Sequence, residues 1–219
     1  MLETDHTHPK PNPTRVFGRF ELRQLLGKSE RTMVWLAFDP RSEQELMLTL
    51  PRVQPASPAA LSLWLADAKH AARLNHPNLA HVVEVGVQDH WPYVAVDRAL
   101  GLTLGERLAA QPKLAPDEAV GWLIQALEGL AFAHEASVAH GDLQLHQLLV
   151  SEQGTVRIMA LGASLTATAS SDHANDRAMP LDPNRLRQAR ESAVRDVLTA
   201  GILLHHLLGG APALDEPDT

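Results

Sequence analysis

Before any helix begins, three short β-type runs follow one another across polar turns: Phe20 to Leu26, Met33 to Asp39 and Gln44 to Leu50. Runs of this length and linkage read as an antiparallel meander. A helix then starts at Ser57, which supplies a capping hydroxyl, with Pro58 suited to the first turn. Leu61, Trp64, Leu65, Ala68, Ala71 and Ala72 recur at helical spacing until Asn75-His76-Pro77 stops the run. Two more β-type runs, His81 to Val87 and Tyr93 to Asp97, close this strand-rich half.

The rest of the chain is mainly helical. Thr103 can cap a short helix through Ala110, and Pro116-Asp117-Glu118 opens a long one. Val120, Leu123, Ile124, Leu127, Leu130 and Ala131 are expected on the buried face of that long helix. Leu148 to Val150 and Val156 to Met159 are short strands about a turn at Glu152-Gln153-Gly154, and the polar stretch Ala163 to Ser171 reads as mobile. A last helix is expected from about Ala193 to Leu208, ending at Gly209-Gly210 with Pro212 beyond. Strands first and helices second imply an α+β chain in two lobes joined near Arg98-Ala99. The expected division is a disordered leader over 1–15, a first lobe over 16–98, a second over 99–210 and a tail over 211–219.

Composition narrows the functional classes. A formal charge of −7 gives no basic excess for a nucleic-acid surface. With 45% hydrophobic residues, the 219-residue chain can bury a sizeable core, and zero cysteines exclude disulfides and thiolate metal sites. The polar, proline-rich start, Met1 to Pro13, has no apolar run and is expected to be neither signal peptide nor anchor. Val197 to Leu208 is too short to span a bilayer and carries His205 and His206, so a cytoplasmic chain is expected. Neighbouring histidines on a helix diverge by about 100°, and no His/Asp/Glu set has ligand spacing, so neither metal nor other cofactor is expected.

Six local motifs in order then resemble a protein kinase, most closely a bacterial serine/threonine kinase of eukaryotic type, over Phe17 to Pro212. They are Leu26-Gly27, Val34-Trp35-Leu36-Ala37-Phe38-Asp39, Leu74-Asn75-His76-Pro77-Asn78, His140-Gly141-Asp142-Leu143, Leu161-Gly162, and Asp196 through Gly201-Ile202-Leu203-Leu204. The resemblance implies a two-lobed kinase-like fold, with the second lobe truncated after the helix ending near Gly209. Each functional motif departs from the family pattern. The glycine-rich loop G-x-G-x-x-G-x-V becomes Gly27-Lys28-Ser29-Glu30-Arg31-Thr32-Met33-Val34, which also reads as a plain hairpin turn. V-A-I-K becomes Leu46-Met47-Leu48-Thr49, so Thr49 stands for the phosphate-binding Lys and Met47 for the small residue roofing the adenine. A thioether there can fill the pocket itself.

Asp67 holds the place of the helix Glu and, with no Lys to pair, reads as a solvated surface residue. In the catalytic loop Asp142 keeps the position that accepts the substrate hydroxyl proton, while Gly141, Gln144 and Gln147 replace the Arg, Lys and metal-binding Asn. An Asp here can also be structural, bonding local backbone amides. D-F-G becomes Ala160-Leu161-Gly162, and an alanine methyl cannot coordinate Mg²⁺. Leu161 still offers an apolar group for the regulatory spine beside His140 and Ala71. Asp182-Pro183-Asn184 falls on A-P-E, and Asp196 is kept to bond the catalytic-loop backbone. The resemblance thus implies a degenerate nucleotide pocket at Gly27, Val34, Met47, Thr49, Asp97 and Leu149, to which ATP is not expected to bind.

The expected function is a catalytically inactive kinase-like domain, a pseudokinase and not an enzyme. It would act as a binding or scaffolding module toward a protein partner such as a true kinase. Two alternatives stay open: an ATP-binding sensor, and a kinase of rearranged chemistry with Asp142 as base and Lys28 or Arg31 as the phosphate-binding cation.

Overall fold

The computed structural model describes residues 15–163 and 183–209. Six strands form one antiparallel sheet in the order β1-β2-β3-β4-β6-β5: β1 Arg15–Phe17, β2 Phe20–Lys28, β3 Thr32–Asp39, β4 Gln44–Pro51, β5 Val82–Gln88 and β6 Trp91–Asp97. The register is what places the cleft residues. Val34 lies between Gly27 and Thr49, and Met47 lies opposite Val96. Because side chains alternate along a strand, Val34, Met47 and Thr49 face the second lobe, while Leu46, Leu48 and Leu50 pack on the other face with Phe20 and Tyr93.

Helix α1 (Pro58–Ala71) starts where expected. Ser57 Oγ accepts from Ala60 N–H and Pro58 occupies the first turn. Its buried face carries Trp64 and Ala68 onto the cleft side of the sheet, and Trp64 Nε1 donates to the carbonyl of Ala163 at 3.1 Å. That bond ties the helix to the segment following β9, so the two lobes share a core layer.

The second lobe begins after a short 3₁₀ turn at Arg98–Leu100. It comprises α2 (Leu104–Ala110), α3 (Pro116–Glu135), α4 (Pro183–Gly209) and a small sheet of β7 (Leu102–Thr103), β8 (Leu148–Val150) and β9 (Val156–Ile158). Thr103 and Glu106 form a complete capping box on α2. Two sequence expectations fail here. The buried face of α3 is Ala119, Trp122, Leu123, Ala126, Gly129, Leu130 and Ala133, whereas Val120, Ile124, Leu127 and Ala131 point outward. Small residues let α3 lie close to the neighbouring chain: a Cβ on Gly129 would stand 2.7 Å from the Asn78 carbonyl oxygen. Helix α4 also begins at Pro183, ten residues earlier than expected. The intervening Arg187 and Arg190 are helix formers whose polarity hides the periodicity.

The leader residues 1–14, the stretch 164–182, with Asp182, and the tail 210–219 lie outside the described residues. Among those described, no helix is long and apolar enough to cross a membrane.

Candidate functional site

The loop from His140 to Gln147 joins α3 to β8 and is held from below by α4. Asp196, 1% exposed, accepts the backbone N–H groups of His140 and Gly141, each at 2.7 Å, and meets His134 Nε2 at 2.9 Å. Burial pushes the Asp196 carboxyl up, but the His134 ring, the nearby His140 and the two backbone donors outweigh it and hold the group below the usual carboxylate range. Gly141 has φ 75°, a left-handed conformation that lets both N–H groups converge on one carboxylate. His140 is fully buried, and burial pushes its ring pKa down. Asp142 N–H donates to His140 Nδ1 at 3.3 Å, which leaves the proton on Nε2 to donate to the Met159 carbonyl at 3.1 Å.

Above this loop sits the β2–β3 hairpin. Ser29 N–H donates to the Thr32 carbonyl at 2.9 Å, and Ser29 Oγ accepts from the N–H groups of Arg31 and Thr32 at 3.0 and 2.9 Å. The same Oγ donates to Asp142 Oδ2 at 2.6 Å, and Thr32 Oγ1 donates to that oxygen at 2.8 Å. Gln147 Nε2 in turn donates to Thr32 Oγ1 at 3.0 Å. Asp142 is therefore bound across the cleft by two side-chain hydroxyls. The signal for this was present in the hydroxyls that replace the loop glycines, but their partner is more than a hundred residues away in the chain.

The remaining pocket positions are packed. Val34, Met47 and Leu149 are fully buried and Thr49 is 1% exposed. Val34, Met47 and Leu149 belong to one apolar cluster with Val94, Val96, Met159, Ala160 and Ala163. Thr49 Oγ1, His146 Nε2 and Gln147 Oε1 are buried without a hydrogen-bond partner. Asp97 turns toward its own chain, where Oδ1 accepts from Ala99 N–H at 2.8 Å and caps the turn between the lobes. Next to it, Arg98 makes a bidentate pair with Glu106 at 2.8 and 2.7 Å and touches Met47 Sδ at 3.8 Å. Burial raises the Glu106 carboxyl, but the Arg98 guanidinium and the Thr103 donors bring it below its ordinary value.

Lys28 and Glu30 are exposed on the hairpin, Arg31 is half-buried, and Arg52 Nη1 donates to the Ser29 carbonyl at 2.8 Å. Asp67 is half-buried and partnered, so it is not the free surface carboxylate expected. Leu161 and Ala71 join one core cluster, with buried His140 beside the catalytic loop. Ala160 takes φ 65°, an unusual conformation for a residue with a Cβ. Among the described residues no group of three His, Cys, Asp or Glu side chains is placed to hold a metal ion.

Comparison with known proteins places this arrangement. Residues 20–219 match the protein kinase domain family. The serine/threonine-protein kinase PrkC of Bacillus subtilis is 26% identical over 206 residues, covering 92% of this chain and 32% of that protein. The serine/threonine-protein kinase PknB of Mycolicibacterium smegmatis is 27% identical over 214 residues, covering 91% of this chain and 34% of the relative. The chain thus spans about a third of the length of these relatives. In structure it is similar to Rad53 residues 1–466, crystallised with AMP-PNP, with a TM-score of 0.66 at 16% identity over 91% of this chain and 51% of the other. That likeness shows the kinase fold. These findings overturn the expectation that the chain is not an enzyme, because its relatives over nine-tenths of its length are named serine/threonine-protein kinases. The chain belongs to the protein kinase domain family.

Proposed function

We propose that this chain is the kinase-type signalling domain of a serine/threonine phosphosignalling protein and that, in its closed form, it works by binding another protein. The observation that carries this reading is the packing of Met47 against Val34 and Leu149, where the family receives adenine. A closed cleft leaves the outer surfaces to do the signalling, and a kinase acting in the same route is the first candidate partner. Val194, Val197, Leu198 and Ile202 on α4, with Ile124 on α3, supply exposed apolar area of the kind that marks protein contacts.

A second reading is favoured by Asp142, which already receives two hydroxyls. In it the domain transfers phosphate once the cleft opens. Asp142 takes the acceptor proton, and Lys28 or Arg31 supplies the phosphate-binding charge that Thr49 does not. Titration calorimetry of the chain with ATP, with and without Mg²⁺, separates the two. The closed-cleft reading expects no heat of binding under either condition. Mg²⁺-dependent binding, with label transfer from ATP that is lost in Asp142→Asn, would establish the second reading instead.

A further inference from the structure

The two hydroxyls on Asp142 come from the chain itself, and both protons are directed by the bonds each oxygen already accepts. Ser29 Oγ takes the N–H groups of Arg31 and Thr32, so its single proton is left for Asp142 Oδ2 at 2.6 Å. Thr32 Oγ1 takes Gln147 Nε2, so its proton points to the same carboxylate oxygen at 2.8 Å. Thr32 and Gln147 are fully buried, and Arg52 braces the hairpin through the Ser29 carbonyl. The carboxylate thus holds a serine and a threonine hydroxyl, the chemistry of a protein acceptor, supplied from the opposite lobe.

We propose that Ser29 and Thr32 are in-chain stand-ins for an acceptor hydroxyl, and that with Asp142 they form an autoinhibitory latch between the lobes. The proposal rests on the reading of Asp142 as the hydroxyl-receiving group and names the regulation of that site. Both hydroxyls sit on Oδ2, so a serine or threonine side chain of another protein takes that oxygen by displacing them, which lifts the β2–β3 hairpin. Charge-assisted hydrogen bonds of this kind are the stronger class, so the closed state is the resting one.

The latch is testable without nucleotide or turnover. Urea unfolding of Ser29→Ala, Asp142→Ala and the double variant forms a double-mutant cycle. The latch requires coupling of about threefold to thirtyfold in the unfolding equilibrium constant, whereas effects that simply multiply, to within about twofold, show that the contact is not made in solution. Asp142→Asn replaces Asp142→Ala if the alanine variant does not fold. Carbodiimide-driven amine labelling of Asp142, mapped by mass spectrometry, gives an independent reading. Labelling should be several-fold faster in Ser29→Ala/Thr32→Val than in the unmodified chain, and equal rates would overturn the latch. Failure of either measurement leaves the ATP titration unaffected, so the latch and the closed-pocket reading stand or fall separately.

Discussion

The imidazole of His146 occupies the space that a side chain on Gly27 would need: a Cβ there would lie 2.3 Å from His146 Cγ. The first loop glycine therefore serves close packing between the hairpin and the catalytic loop. Gly27→Ala is expected to destabilise the fold by about 1–3 kcal/mol in urea unfolding, as overpacking does. Combining it with His146→Ala should recover much of that loss, because the ring is what the new methyl meets. A Gly27→Ala cost that is unchanged in the His146→Ala background would show that the strain lies elsewhere.

Asp196 joins α4 to the catalytic loop through two hydrogen bonds, and to His134 on α3 through a third. Asp196→Ala leaves the His140 and Gly141 N–H groups and the His134 ring without their acceptor, and should cost about 3–5 kcal/mol. Thermal unfolding measures this. A loss below about 1 kcal/mol would mean that the loop holds its shape without α4.

Acid should weaken the fold in two stages. Burial lowers the ring pKa values of His140 and His146, so below about pH 6.5 the unfolded chain binds protons that the folded chain refuses. Stability then falls as pH drops through that value. The carboxyls of Asp196, Asp39, Glu84 and Glu106 are held below their ordinary values in the fold. Their contribution is present above about pH 4 and is lost as pH falls further through their folded values. Unfolding free energy followed from pH 8 to pH 3 should show both stages, and His140→Gln/His146→Gln should remove the upper one.

The two faces of α3 should respond differently to truncation. Trp122, 5% exposed, is expected to cost about 3–5 kcal/mol when changed to alanine. Ile124, 51% exposed, should cost less than about 1 kcal/mol. Denaturant midpoints of the two variants make the comparison, and a reversed order would restore the face expected from the sequence.

That reversal shows where the sequence was legible. The strand runs, the Ser57 and Thr103 caps and the opening of α3 at Pro116 were local signals, and each element formed as read. On α3, apolar residues occupy more than one stripe, and the buried one is marked by alanines that carry little hydrophobic weight. Trp122 was the clue that could have decided it. The start of α4 was hidden because its first turns are polar, although Pro183 is a recognised first-turn residue. The burial of Met47 was legible from the motif alone. The Ser29–Asp142 bond was not, since a contact across 113 positions leaves no periodic trace.

The closed cleft is tested most directly by melting the unmodified chain and Met47→Ala with millimolar ATP, with and without Mg²⁺. A ligand at a hundredfold excess over its Kd adds about 2.7 kcal/mol, or roughly 5–10 °C for a domain of this size. On the closed-cleft reading the unmodified chain should not shift beyond noise, since Met47 is fully buried. Met47→Ala should gain a small, metal-independent rise, since the adenine space reopens while no phosphate clamp is added. A Mg²⁺-dependent rise of several degrees in the unmodified chain would contradict the closed cleft and make nucleotide the working ligand of this domain.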